Sequence, residues 1–138
     1  MKQLLQGKRA KDIMRREAVT VEATSSVSEA VRAMNERGVG ACVIVSAIQD
    51  ALGIFTERDL MGRVVVRGLN PVTTKIIDVM TPNLVCAQAA DDAWELLTTM
   101  VEANFRHLPV MDGRRLIGIV SMKEFCKHLV KGETTGHL

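Results

Sequence analysis

One stretch of this chain occurs twice, and that repetition constrains the fold more than any other feature. Gly53-Ile54-Phe55-Thr56-Glu57-Arg58-Asp59-Leu60 returns as Gly118-Ile119-Val120-Ser121-Met122-Lys123-Glu124-Phe125. The pairs are Gly/Gly, Ile/Ile, Phe/Val, Thr/Ser, Arg/Lys, Asp/Glu and Leu/Phe. Each copy reads as the end of a buried strand running straight into a helix, with a hydroxyl, a base and an acid crowded into the first turn. Helices are expected to begin at Thr56 and Ser121.

The echo extends outward from these turns. Asp12-Ile13-Met14 returns as Asp78-Val79-Met80, and the β-branched run Val19-Thr20-Val21 is matched to Leu84-Val85-Cys86, each read as a short strand. Two helices follow with one signature. Ser26 and Glu29 have capping-box spacing ahead of Val27, Ala30, Val31 and Met34, and Asp92 and Glu95 repeat it ahead of Ala93, Leu96, Leu97 and Met100. Gly38 closes the first helix and Asn104 the second. Strands are expected at Val39 to Val45 and Phe105 to Met111, then at Ala51 to Phe55 and Leu116 to Val120. The turns between them are Ser46 to Asp50 and Asp112 to Arg115. Met14 with Met80 and Met34 with Met100 recur as core-filling residues.

Each half is thus strand, helix, strand, strand, helix. A unit of about sixty residues buries too little surface to be comfortable alone. The 138-residue chain is therefore read as two repeats forming one α/β (α+β) module with internal pseudo-two-fold symmetry. Its parts are a lead-in over 1–9, a first repeat over 10–69, a linker over 70–74 containing Asn70-Pro71, a second repeat over 75–131, and a tail over 132–138.

Composition narrows the function classes. Apolar residues make up 47% and charged residues 25% of the chain, which is the balance of a globular protein. A net charge of +2 gives no case for nucleic acid. No apolar run approaches the roughly 20 residues needed to cross a bilayer, and the N-terminus lacks the apolar core of a signal peptide. Cys42, Cys86 and Cys126 are odd in number and widely spaced, with Cys42 and Cys86 in apolar runs, so buried free thiols in a reducing, cytoplasmic setting are expected. Cys126 and His128 have no further ligands near them in sequence, His137 has no constellation, and no metal site is expected.

Taken together, the tandem unit, the Asp-hydrophobic-Met lead and the Gly-hydrophobic-x-Thr/Ser-x-x-Asp/Glu turn resemble CBS domains. Two in tandem resemble a stand-alone CBS pair, or Bateman module, over about residues 10 to 131. The resemblance implies adenine-nucleotide binding (AMP, ADP or ATP, with NAD or S-adenosylmethionine as further ligands) in clefts between the repeats. It implies no required cofactor, regulation of an unidentified partner protein, and a homodimer. In the leading site the resemblance places Ile54, Thr56, Arg58, Asp59, Val85, Arg106, His107, Pro109 and Ser121. Thr56 and Ser121 offer hydroxyls at a helix N-terminus, which suits phosphate. Asp59 has two acceptor oxygens for a ribose diol. Arg106 and His107 form a basic pair for phosphate, and Ile54, Pro109 and Val85 offer apolar contact to adenine. A second site would use Thr20, Gly40, Ala41, Lys123 and Glu124. It lacks the basic pair, because Gly40-Ala41 stands where the other half has Arg106-His107.

Read without the resemblance, Thr56-x-x-Asp59 and Ser121-x-x-Glu124 are capping boxes. No nucleophile–base–orienter set is present, so no catalytic residue is assigned. A non-catalytic nucleotide-binding regulator is the primary expectation. A protein-only scaffold is the alternative, and an accessory subunit of an enzyme stands behind it.

Overall fold

Two short helices, α1 (Lys2–Leu5) and α2 (Ala10–Ile13), and a two-residue strand β1 (Arg15–Arg16) open the computed structural model, which describes residues 2–82 and 84–136. Next come β2 (Thr20–Glu22), α3 (Val27–Arg37), β3 (Ala41–Val45), β4 (Ala51–Thr56) and α4 (Glu57–Asp59). Wide π turns over Leu60–Val65 carry α4 onward, and a 3-10 turn at Ile76–Asp78 precedes β5 (Thr81–Pro82). The second repeat runs β6 (Ala87–Gln88), α5 (Ala93–Ala103), β7 (His107–Asp112), β8 (Arg115–Ser121) and α6 (Met122–Gly136). The protein is α+β and carries the β-α-β-β-α unit twice.

The chain folds into two compact units. One is continuous, Val19–Leu84; the other is split, drawing its described residues from Met1–Ala18 and Val85–Leu138. In the continuous unit the sheet order is β2-β3-β4-β5, with β2 parallel to β3 and the remaining pairs antiparallel. β3 is central and every residue from Ala41 to Val45 is buried. Val27, Ala30 and Met34 of α3 pack with Cys42, Ile44 and Phe55, and Ile76, Val79 and Met80 complete that core. The helical spacing puts those α3 residues on one face, and burial of that face holds the helix to the sheet.

The split unit is built to the same plan, with sheet order β1-β8-β7-β6. Ala93, Leu96 and Met100 of α5 pack with Leu108, Val110 and Val120, while Leu5, Ala10, Ile13 and Phe125 close the core. Helices α3 and α5 are capped as their sequences predict. Ser26 Oγ accepts from the Glu29 N–H at 3.1 Å, and Asp92 Oδ2 accepts from the Glu95 N–H at 3.0 Å. Gly38 (φ 64°) and Asn104 (φ 59°) close them in the left-handed region.

Each repeat's lead segment completes the unit that contains the other repeat. The Ala93 N–H of α5 donates to Lys8 O at 3.0 Å, the Ala10 N–H donates to Asp91 O at 2.8 Å, and β1 pairs with β8. Likewise the Val27 N–H of α3 donates to Thr74 O at 2.9 Å, the Ile76 N–H donates to Ser25 O at 2.8 Å, and β5 pairs with β4. Helix N–H groups that need partners thus find them in a segment distant in sequence. The repeated glycines admit these segments. A Cβ on Gly53 would stand 2.5 Å from Thr81 O and 2.8 Å from Met80 Sδ; one on Gly118 would stand 2.5 Å from Arg15 O and 2.6 Å from Met14 Sδ. The glycine and the methionine of the motif are therefore two sides of one contact.

Several expected boundaries move. The strands expected from Val39 and Phe105 begin two residues later, at Ala41 and His107. The Val39 and Phe105 N–H groups are spent on closing the helices, donating to Met34 O at 3.0 Å and Met100 O at 2.9 Å. Thr56 and Ser121 end their strands, so the helices start one residue after them. Leu84-Val85-Cys86 forms no strand. Pairing starts at Ala87↔Val110, which makes Ala87 the counterpart of Val21. Ala87 is buried and Val85 is exposed, because a one-residue shift exchanges the two faces of a strand. Of the three free cysteines only Cys42 is fully buried; Cys86 is half-buried and Cys126 exposed.

Candidate functional site

The Thr56–Asp59 turn in the continuous unit is held by a reciprocal cap. The Asp59 N–H donates to Thr56 Oγ at 3.3 Å, while the Thr56 N–H and hydroxyl donate to Asp59 Oδ2 at 3.0 and 3.2 Å. The other carboxylate oxygen points to two residues that the sequence pattern did not single out. The Thr81 hydroxyl donates to Oδ1 at 3.0 Å, and Arg63 Nε lies 3.4 Å from it. Arg63 also donates from Nη1 to Met80 O at 2.9 Å. Asp59 is only 7% exposed and is the one buried charged residue among those described. A buried carboxylate needs this degree of pairing to remain in place.

Arg63 was legible in principle, since it stands one helical turn beyond Asp59. Thr81 was not, because it arrives through antiparallel pairing with Ile54, far away in sequence. The charge of Asp59 also reaches the core. The Cys42 thiol is pushed up to about 12, first by burial and then by the nearby Asp59 carboxylate. It therefore stays protonated and unreactive at neutral pH.

Other expected residues of this unit gather around the turn. Ala41 pairs with Thr56, and Gly40 O accepts from the Glu57 N–H at 3.0 Å. Ile54 is half-buried in β4, whereas Arg58 and Thr20 are exposed.

The split unit repeats the turn with different side chains. The Ser121 hydroxyl donates to Glu124 Oε2. His107 pairs with Ser121 across the β7–β8 ladder, and the Met122 N–H donates to Arg106 O at 3.3 Å, so the basic pair lies beside Ser121. Arg106 is exposed and His107 half-buried; Pro109 is buried in β7 and Val85 is exposed. Lys123 and Glu124 line an open groove of about 810 Å³ together with Asp12, Met14, Lys127 and His128. The structure thus places Ile54, Thr56, Arg58, Asp59, Thr20, Gly40 and Ala41 on the continuous unit. It places Val85, Arg106, His107, Pro109, Ser121, Lys123 and Glu124 on the split unit.

Among the described residues no group of three or more His, Cys, Asp or Glu is arranged to hold a metal ion, and no helix is long and apolar enough to cross a membrane. His137 lies outside the described residues.

The two hydroxyl–carboxylate turns, each ending an inner strand of a four-stranded mixed sheet, agree with what comparison with known proteins finds. The CBS domain family model matches residues 10–66 and again 76–131, and the chain belongs to that family. CBS pairs are regulatory modules. An uncharacterised protein of Methanopyrus kandleri is 34% identical over 114 residues, 82% of this chain and 58% of the relative. The CBS domain-containing protein CBSCBSPB3 of Arabidopsis thaliana is 34% identical over 105 residues, 76% of this chain and 19% of the relative. The chain thus spans only part of the length of these relatives. Among solved structures, a CBS-domain containing protein of Agrobacterium tumefaciens is 34% identical with a TM-score of 0.80, covering 89% of this chain and 96% of its own. The CBS domain pair of protein MJ0100, solved with 5-methylthioadenosine and S-adenosyl-L-methionine, shares the fold at 24% identity and a TM-score of 0.81, covering 91% and 98%.

Proposed function

We propose that this chain is a non-catalytic regulatory module that binds an adenine nucleotide, with AMP, ADP or ATP ahead of NAD and S-adenosylmethionine, and signals its occupancy to a partner protein. The observation that carries this reading is the asymmetry of Asp59. Its Oδ2 is committed to the helix cap, but its Oδ1 meets only side-chain donors, Thr81 Oγ and Arg63 Nε. Hydroxyl groups of a ribose are chemically equivalent to the donor they would replace there. Thr56 and Ser121 supply hydroxyls for phosphate, Arg106 and His107 supply positive charge, and Ile54, Val85 and Pro109 supply apolar contact. Arg58 is a further phosphate contact. A second, less basic site uses Thr20, Gly40, Ala41, Lys123 and Glu124. The bound adenosine derivatives of the MJ0100 pair support an adenosine-type ligand for a chain of this fold.

A homodimer belongs to the same reading. Met61, Val65 and Val66 are 64%, 67% and 80% exposed on the turns that follow α4, an apolar cluster suited to a protein contact. Light scattering during gel filtration would give the oligomeric mass, and a monomer at micromolar concentration would remove this part of the proposal.

Titration calorimetry of the purified chain against AMP, ATP, NAD, S-adenosylmethionine and adenosine tests the central claim, with Asp59→Ala as control. Saturable binding by one of them, weakened in the variant by roughly 1.5–3 kcal/mol, is expected. Absence of heat from all five, with ligand-free folded protein, would leave the turn as a cap and the chain as a protein-only scaffold. Arg106→Ala is expected to weaken AMP more than adenosine, since only AMP carries the phosphate; equal losses would assign Arg106 to folding.

A further inference from the structure

We propose that Thr81 and Arg63 are positioning residues that set the affinity of the Asp59 site, because a bound ribose must take their places on Asp59 Oδ1, and that occupancy is thereby transmitted to strand β5. The inference rests on the reading of Asp59 as the ribose contact.

A carboxylate offers about four lone-pair positions. In Asp59 all are engaged: two on Oδ2 by Thr56, and two on Oδ1 by the Thr81 hydroxyl at 3.0 Å and Arg63 Nε at 3.4 Å. An entering diol finds no vacant acceptor. The Oδ2 side does not exchange, because releasing it would leave the Thr56 backbone N–H unpaired beside a half-buried helix start. The Oδ1 side can. A threonine hydroxyl rotates freely to another acceptor, and the Arg63 side chain is 44% exposed, so its guanidinium can return to water.

That exchange is coupled to the backbone. Arg63 holds Asp59 Oδ1 through Nε and Met80 O through Nη1, and Thr81 is the next residue. One arginine and one hydroxyl therefore fasten the segment Met80–Pro82 to α4 and the turns that follow it. Beyond them, the segment is held by the buried Met80 side chain and, among the described residues, by a two-residue ladder of β5 with β4, Gly53↔Pro82 and Ile54↔Thr81. Ligand at Oδ1 releases both fastenings together, and the segment released is the last one before the chain leaves the continuous unit at Leu84. The free energy spent on breaking the fastenings is subtracted from ligand affinity, as for any ligand that must displace an internal partner.

The test is calorimetry with AMP on the full chain and on Thr81→Val and Thr81→Ser, joined to hydrogen exchange of residues 79–81 with and without saturating AMP. Thr81→Val removes the competing hydroxyl while keeping the shape, and is expected to tighten AMP by about threefold or more. Thr81→Ser keeps the hydroxyl and is expected to stay within about twofold of wild type. AMP is expected to speed exchange at residues 79–81 of the wild type. Wild-type binding with unchanged or weaker affinity in Thr81→Val, or with exchange unmoved, overturns this inference and leaves the nucleotide reading standing. If AMP does not bind, the same measurements use whichever of ATP, NAD, S-adenosylmethionine or adenosine does; binding of none of the five by wild type or by Thr81→Val removes the nucleotide reading and this inference with it. The wild-type exchange measurement decides the question even if Thr81→Val fails to fold.

Discussion

The two repeated turns share a frame and differ in chemistry. In both units a strand glycine accepts a methionine and a carbonyl from a distant lead segment, and a hydroxyl bonds the carboxylate of the first turn of the helix that follows. Around that frame the partners diverge. Asp59 has Thr81 and Arg63; at the corresponding register positions of the split unit stand Arg15, in β1, and His128, in α6. The acid there is Glu124, longer by one methylene and half-buried rather than buried. Backbone packing is thus conserved between the copies through small and flexible residues, while the groups that would meet a ligand vary freely. The basic pair varies too: the counterpart of Arg106-His107 beside Ser121 is Gly40-Ala41 beside Thr56.

Four experiments press on this comparison. Phe55→Ala and Phe125→Ala each empty a fully buried position, one per unit, and should each cost about 3–5 kcal/mol by chemical denaturation. Hydrogen exchange should locate each loss in its own unit; losses spread evenly over both would show that the units do not unfold separately. Gly53→Ala and Gly118→Ala should cost similar amounts, about 1–3 kcal/mol or somewhat more, because the neighbour in the way is a backbone carbonyl. A large cost at one and none at the other would break the equivalence of the frames.

The carboxylates should separate where the glycines agree. Asp59→Asn is expected to cost about 1–3 kcal/mol, since it turns an amide toward the Thr81 hydroxyl and Arg63, whereas Glu124→Gln should cost less than about 1 kcal/mol. Equal costs would mean that Asp59 is no more deeply built in than Glu124. The helix ends should give the smallest effects. Gly38→Ala places a Cβ at φ 64° and should cost about 1 kcal/mol, while Asn104→Gly at φ 59° should shift the melting temperature by no more than a degree or two.

Alkaline titration adds a check confined to the continuous unit. The Cys42 thiol has its folded value raised to about 12, above the ordinary range. The unfolded chain therefore loses this proton first as pH rises. The stabilisation is complete below the unfolded value and is lost between about pH 9 and 12, by up to about tenfold in the folding constant per pH unit. Cys42→Ala should flatten the curve in that window relative to wild type; identical slopes would remove the thiol as the cause.

What the sequence carried well was local. Ser26, Asp92, Gly38 and Asn104 act over three or four residues, and their roles read directly from spacing. The Gly-Ile-x-Thr/Ser turn was visible because it occurs twice. The destination of the lead segments was not, since a two-residue strand such as Arg15–Arg16 has no periodicity and either sheet edge would suit it. The same limitation hid the Thr81 contact with Asp59 and set the sixth strand one register too early, at Leu84-Val85-Cys86, where pairing begins at Ala87. Side-chain types and short spacings show which groups need partners; long-range pairing decides which partners they get.

The division of the chain into a continuous and a split unit has a consequence for synthesis. Val19–Leu84 holds its whole sheet and core within one stretch, so that unit can close once Leu84 has cleared the ribosome. The opening segment is made earlier yet must wait. Leu5, Ala10 and Ile13 find their packing partners in residues 87–129, translated seconds later at roughly 5–20 residues per second. During that interval Leu5, Ala10 and Ile13 lack their partners while the later continuous unit is already complete, so the order of folding runs against the order of translation. A factor that shields nascent apolar segments would find its site there, at Leu5 and Ile13, rather than on the newest residues.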